Sequence, residues 1–213
     1  VAVSAYALIL AEWGLFSTGV RAVARLDRAA DILAYARGHV GLLAALAGAV
    51  LLAGGALLPL FPFFAADPWV FVLYLLAVVP QVYMLDWIGV GLERVVAVGA
   101  AKLSRSLVYA VVVLLALSAL DGRLGWPAWR WVPVVYLFSL FVGDAVIGAP
   151  VARWLGRPVL PRFPGWADWR QRLSVAGPIG GGIVIMRLLL NVDIVLLGVL
   201  ATPAVVGGYA AAS

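Results

Sequence analysis

Five ionisable side chains fall inside otherwise apolar stretches: Glu12, Asp86, Asp144, Arg187 and Asp193, with Asn191 as a neutral companion. A charge at mid-bilayer costs about 2.5–3.5 kcal/mol on insertion scales, so each one needs a partner, a wet cavity or a polar cargo. Arg187 and Asn191 are four residues apart and share a helix face. Asp193 stands six residues from Arg187, about 240° round a helix, and does not pair with it locally. Two uses fit Arg187. It either contacts a substrate or ion, or pairs with Asp144, since both fall near the middle of their apolar runs. Asp86 and Glu12 either point into the bundle or lie close enough to an interface to be solvated. The chemistry on offer is reversible binding of a cation or proton by carboxylates, and charge-assisted grip on an anion by arginine.

Other chemistries are excluded. There is no cysteine, so thiolate catalysis, disulfides and cysteine-based metal sites are absent. The single histidine, His39, follows a basic stretch and reads as an interface residue rather than a proton relay. No G-x-S-x-G, P-loop or HExxH pattern occurs, and Gly180-Gly181-Gly182 lies in an apolar run without the strand that a phosphate-binding loop requires. No catalytic residue, metal site or cofactor is expected, and the chain reads as a non-enzyme.

The elements that must position these groups are membrane helices. Of 213 residues 65% are hydrophobic and 12% charged, with mean hydropathy +1.10. Soluble domains run nearer half apolar and a quarter charged. Crossing about 30 Å of hydrocarbon takes about 20 helical residues. Six stretches qualify: Val1–Val20, His39–Phe61, Val70–Gly91, Val95–Leu120, Val132–Val151 and Ser174–Leu200. Lys102 and Arg105 sit early in the fourth, so its buried part is expected to start near Leu107. A surface helix is expected around Trp166–Leu173, after a bent Pro-rich linker. Gly177-Pro178 should bend the last span; Gly177 and Gly181 form a small-xxx-small pair suited to packing. Val1 falls inside an apolar run without a basic segment before it, so a signal peptide is not expected, and both ends read as cut.

Charge gives the spans an orientation. Loops one, three and five carry twelve of the fifteen Lys and Arg, and loops two and four carry two. By the positive-inside rule the odd loops are cytoplasmic. Trp69, Trp126, Trp129, Trp131, Trp154, Trp166 and Trp169 stand at or just beyond span ends, as in an interfacial belt. The net charge of +5 therefore reads as topology and contact with anionic membrane lipids, not as nucleic-acid binding.

Several blocks carry a resemblance. They are AEWGLFSTGVRAVARL (Ala11–Leu26), DWIGVGLERV (Asp86–Val95), KLSRSLVYAVVVL (Lys102–Leu114), WRQRLSVAGPIGG (Trp169–Gly181) and NVDIVLLGVLATPAVVGGYAAA (Asn191–Ala212). In this order they resemble the polysaccharide biosynthesis or oligosaccharide flippase family, the Wzx-like members of the MOP superfamily. Arg21, Trp87, Gly91, Glu93, Asp193, Gly198, Gly207 and Tyr209 sit where the family pattern is recognisable. The resemblance implies an all-α polytopic bundle of about 12–14 helices in two lobes around a central cavity, the repeat logic of secondary transporters. This chain would run from the family's second helix into its eighth. Residues 1–173 would then belong to the first lobe and 174–213 to the start of the second. The implied activity is alternating-access transfer of undecaprenyl-pyrophosphate-linked oligosaccharide across the bacterial inner membrane, for O-antigen or lipopolysaccharide synthesis, alongside other polysaccharide-assembly proteins. The candidate pathway residues are Arg187, Asn191, Asp193, Asp144, Asp86, Glu12 and Arg21. A cation-coupled multidrug antiporter of the same superfamily is the alternative, with H+ or Na+ on the membrane carboxylates, which outnumber arginine in the spans. A membrane glycosyltransferase or polymerase would need larger outer loops than these.

Overall fold

The computed structural model describes residues 2–57, 67–120 and 128–200, with side chains described except at 2–6, 57, 116–120, 128–129, 187–188 and 190–200. The described residues are helical, with no strand: α1 (Ala2–Glu12), α2 (Leu15–Val23), α3 (Ala29–Leu57), α4 (Pro68–Leu76), α5 (Val78–Val82), α6 (Asp86–Gly91), α7 (Val95–Leu120), a 3-10 turn (Ala128–Trp131), α8 (Val132–Leu155) and α9 (Trp166–Leu200). The all-α membrane bundle expected from the sequence is the fold observed.

Four segments among the described residues are long and apolar enough to cross a bilayer: Ala29–Ala56, Pro68–Gly91, Val95–Leu115 and Val132–Leu155. The fourth expected span matches α7 at both bounds, and α8 overruns its expected end by four residues to a Gly156 cap at φ +72°. The first expected span is not one helix. Its chain breaks between α1 and α2, where Trp13 (φ +39°) and Gly14 (φ +72°) take the left-handed conformation. The second begins ten residues early, at Ala29, because no breaker separates the polar lead-in from the apolar run. His39 is thereby carried well inside α3, where it is fully buried rather than interfacial. The expected surface helix at Trp166–Leu173 is likewise the first part of α9, which continues through Pro178.

The odd and even loops separate to opposite ends. At one end the Arg162 N–H donates to the Arg37 carbonyl (2.9 Å), and the Arg94 guanidinium lies 5.8 Å from the Trp154 ring centroid. A Cβ on Gly91 would press on Val23 there, so loops one, three and five converge. At the other end Arg130 Nε meets Asp67 Oδ2 at 3.0 Å, joining loops two and four. This is the alternation that the charge pattern implied. Lys102 and Arg105, counted with loop three and expected early in the fourth span, lie inside α7.

The core gathers Leu15, Val23, Val40, Leu42, Trp87, Ile88, Ile147 and Val151 from α2, α3, α6 and α8. The outward side of α7 is apolar, with Leu103, Leu107, Val111, Leu114 and Leu115 all exposed at near-helical spacing. Such a face is stable in lipid and not in water.

Loop five lies so close to α3 that a Cβ on Gly41 would overlap the Arg162 carbonyl, which is backbone and cannot swing aside. Gly41→Ala is therefore expected to destabilise the bundle by about 2 kcal/mol, as overpacking does. A lower unfolding midpoint of the detergent-solubilised intact protein checks this.

Candidate functional site

Polar chemistry concentrates in three places. The first is an open groove at the odd-loop end, between α2, α3 and the start of α9. Arg21, Arg25 and Arg172 line it with Thr18, Tyr35 and Gln171, and Asp168 is the one acid among its lining residues. Arg21 lies in the last turn of α2, and Arg25 follows just after the helix ends. Both are exposed.

Arg172 is built in. Its Nε donates to Asp168 Oδ2 at 2.7 Å, one helical turn earlier, and its Nη1 donates to the Tyr35 carbonyl at 3.4 Å. Its guanidinium stands 4.5 Å over the Tyr35 ring, a cation–π contact. Gly38 leaves room for it, since a Cβ there would come within 3.2 Å of Nη2. One arginine is thus fixed while two reach freely over the same opening. Three guanidinium groups against one carboxylate leave the groove net positive, and planar N–H forks suit phosphate oxygens.

The second place is a charge cluster within the bundle, lined by Met84, Asp86, Ala101, Lys102, Arg105, Gly143 and Asp144. Lys102 Nζ lies 3.8 Å from Asp86 Oδ2; the Asp86 side chain is 4% exposed. Arg105 Nη1 donates weakly to Met84 Sδ at 3.9 Å. Gly143 lets α7 and α8 approach, because a Cβ there would stand 3.2 Å from Arg105 Cβ. Asp144 Oδ2 is buried without a hydrogen-bond donor. Asp144 shares this lining with Lys102 and Arg105, and the alternative pairing with Arg187 involves a side chain outside the described residues. Two carboxylates and two cations make the cluster neutral as a whole.

The third is a narrow cleft where Glu12 and Gln81 interrupt an apolar lining that includes Phe16, Leu43 and Trp87. Glu12 immediately precedes the break between α1 and α2. The break seats against α9: a Cβ on Gly14 would come within 2.7 Å of Gly180 N, and one on Gly180 within 2.8 Å of the Trp13 carbonyl. Among the described residues the tightly packed glycine of α9 is Gly180, while nothing lies within 4 Å of a Cβ on Gly181 of the expected Gly177/Gly181 pair.

Between groove and cleft runs an aromatic column. His39 stacks on Tyr35 (5.4 Å between centroids) and tilts against Trp87 (4.6 Å). Gly19 makes space for both rings.

Of the residues singled out from sequence, Arg21 lies in the groove, Asp86 and Asp144 share the cluster, and Glu12 lines the cleft. The side chains of Arg187, Asn191 and Asp193 lie outside the described residues. Arg25, Arg172, Lys102 and Arg105 were missed as site residues. Their signal was available: Asp168 and Arg172 are four apart, and Lys102 and Arg105 share one face of an otherwise apolar helix.

The family described as polysaccharide biosynthesis protein matches residues 1–213. The chain belongs to this family. That membership, with the apolar helices, identifies a multi-pass membrane protein of the transporter type related to polysaccharide synthesis. No curated protein and no solved structure gives a significant match.

Proposed function

We propose that the protein is a lipid-linked oligosaccharide flippase of the bacterial inner membrane, and that its basic groove receives the pyrophosphate of a polyprenyl-pyrophosphate-glycan. The carrying observation is the convergence of Arg21, Arg25 and Arg172 on one opening beside α9. In this reading the odd-loop end is cytoplasmic, residues 1–173 belong to one lobe, and residues 174–213 begin the second. The pyrophosphate binds at the groove while the glycan enters the space between lobes. Alternating access then carries it across, with Arg187, Asn191 and Asp193 as the candidate residues along the path. Contact between the α1–α2 break and Gly180 ties the entry helix of the second lobe to the first. O-antigen or lipopolysaccharide repeat units are the cargo class, handed on to other polysaccharide-assembly proteins.

The charge cluster is what favours a cation-coupled antiporter as the second reading. Lys102 and Arg105 argue against a Na+ site there, because Lys102 already pairs with Asp86 and both cations line the same pocket. A Na+ ion would need oxygen donors freed from those partners. Proton exchange at Asp86 or Asp144, coupled to flipping, keeps the cluster within the flippase reading.

Deleting the gene should leave lipid-linked repeat units on the inner leaflet. They would be protected in spheroplasts from an added glycosidase and cleaved once the membrane is permeabilised. Unaltered surface glycan together with lost drug resistance would overturn the proposal in favour of the antiporter.

A further inference from the structure

A second basic pocket lies at the same end of the bundle, where the start of α3 meets the end of α8. Arg37, Arg157 and Arg162 line it together with Leu33 and Leu155. No acid is among its lining residues. None of the three arginines makes an ion pair among the described residues.

Arg37 is held in place by its backbone and one weak bond. Its carbonyl accepts the Arg162 N–H, and its Nη2 reaches the Pro158 carbonyl at 3.5 Å. Its Nε is buried without a partner. Three guanidinium groups without a counter-charge, one carrying a buried unsatisfied donor, make an incomplete site that an anion would complete.

The pocket is separate from the cargo groove. Ala30, Leu33, Ala34 and Arg37 form an i, i+3, i+4, i+7 stripe along α3. Tyr35, which lines the groove, lies about 150° round the helix from the middle of that stripe. The neighbouring surface is apolar. Leu160 and Phe163, in the loop that carries Arg162, are 58% and 63% exposed. The pocket wall itself is apolar between the arginines. An acyl-bearing molecule satisfies both halves of this surface, and a free phosphate satisfies one.

We infer that Arg37, Arg157 and Arg162 form a binding site for the phosphodiester headgroup of an anionic phospholipid drawn from the surrounding leaflet. Its acyl chains lie along Leu33 and Leu155, and the headgroup pins loop five to α3. The site is independent of the cargo reading, because it stands on the other side of α3.

Native mass spectrometry of the intact detergent-purified protein tests this, with phosphatidylglycerol and phosphatidylcholine offered in equal amounts. The wild type should retain phosphatidylglycerol preferentially. Preference should fall about fivefold for each arginine neutralised, as expected for single basic residues at an anionic surface. The double variant Arg157→Gln/Arg162→Gln leaves the backbone bond to Arg37 intact and keeps the test valid if Arg37→Gln misfolds. Arg157→Lys/Arg162→Lys should restore most of the preference, and Arg170→Gln, outside the pocket, should leave it unchanged. Inorganic phosphate in excess should not displace the lipid. Equal retention of both lipids by the wild type, undiminished preference in the double variant, or displacement by inorganic phosphate would each overturn the inference.

Discussion

Replacing Arg21 and Arg25 together with alanine should lower glycan translocation by the intact protein about a hundredfold, the effect of losing two charge-assisted contacts to phosphate oxygens. Both side chains are exposed and neither belongs to an ion pair among the described residues. Their removal should therefore leave the unfolding midpoint almost unchanged, as is usual for surface substitutions. Arg172→Ala provides the contrast. It removes the ion pair to Asp168, the bond to the Tyr35 carbonyl and the cation–π contact at once, so transport and stability should fall together. Arg172→Lys keeps the charge but loses the fork and the stacking, and should recover stability better than transport. Surface-glycan yield and thermal unfolding of the same variants separate these cases. A drop in stability for the Arg21/Arg25 variant would make the groove a structural feature.

The second large effect concerns the cluster. Lys102→Met leaves Asp86 nearly inaccessible to water with its ion-pair partner removed, and should destabilise the fold by about 1–3 kcal/mol, the cost of stranding a buried polar group. The figure stays moderate because the Lys102 side chain is 54% exposed and Arg105 remains nearby. Asp86→Asn should cost less, since an amide needs no counter-ion. Combining Asp86→Asn with Lys102→Met should cost clearly less than the sum of the two, a coupling that a double-mutant cycle reads directly. Additive effects would show that the pair does not interact in the folded protein.

How far the sequence carried this reading varies from element to element. The bounds of α7 were legible because loop signals flank it in the sequence, Glu93-Arg94 before it and Asp121-Gly122 after it. The phase of the loops was legible too, since charge alternates with the spans, and the contacts of Arg37 with Arg162 and of Asp67 with Arg130 show the two ends formed. Helices α3 and α9 start earlier than hydropathy suggests because polar residues continue a helix as readily as apolar ones when no proline interrupts them. The break at Trp13–Gly14 was not legible, as apolar residues continue on both sides. It is set by the close approach of Gly180, a tertiary fact. The charge cluster was overlooked for a related reason: treating Lys102 and Arg105 as a lead-in hid that α7 brings them into one lining with Asp144 of α8. His39 was misplaced by the same error over the start of α3. The groove was legible only through Arg21. Its other arginines come from segments more than a hundred residues apart, Arg25 and Arg172, which only the folded chain brings together.

The central claim is that the basic groove grips the pyrophosphate of a lipid-linked glycan during its transfer. Reconstitution of the intact protein into liposomes carrying a fluorescent polyprenyl-pyrophosphate-oligosaccharide tests it most directly, with an impermeant quencher reporting the leaflet. Wild-type protein should move label between leaflets, and the Arg21→Ala/Arg25→Ala variant, equally well folded, should move it about a hundredfold more slowly. Equal rates in the two proteins, or no movement by the wild type when the appropriate ion gradient is supplied, would contradict it.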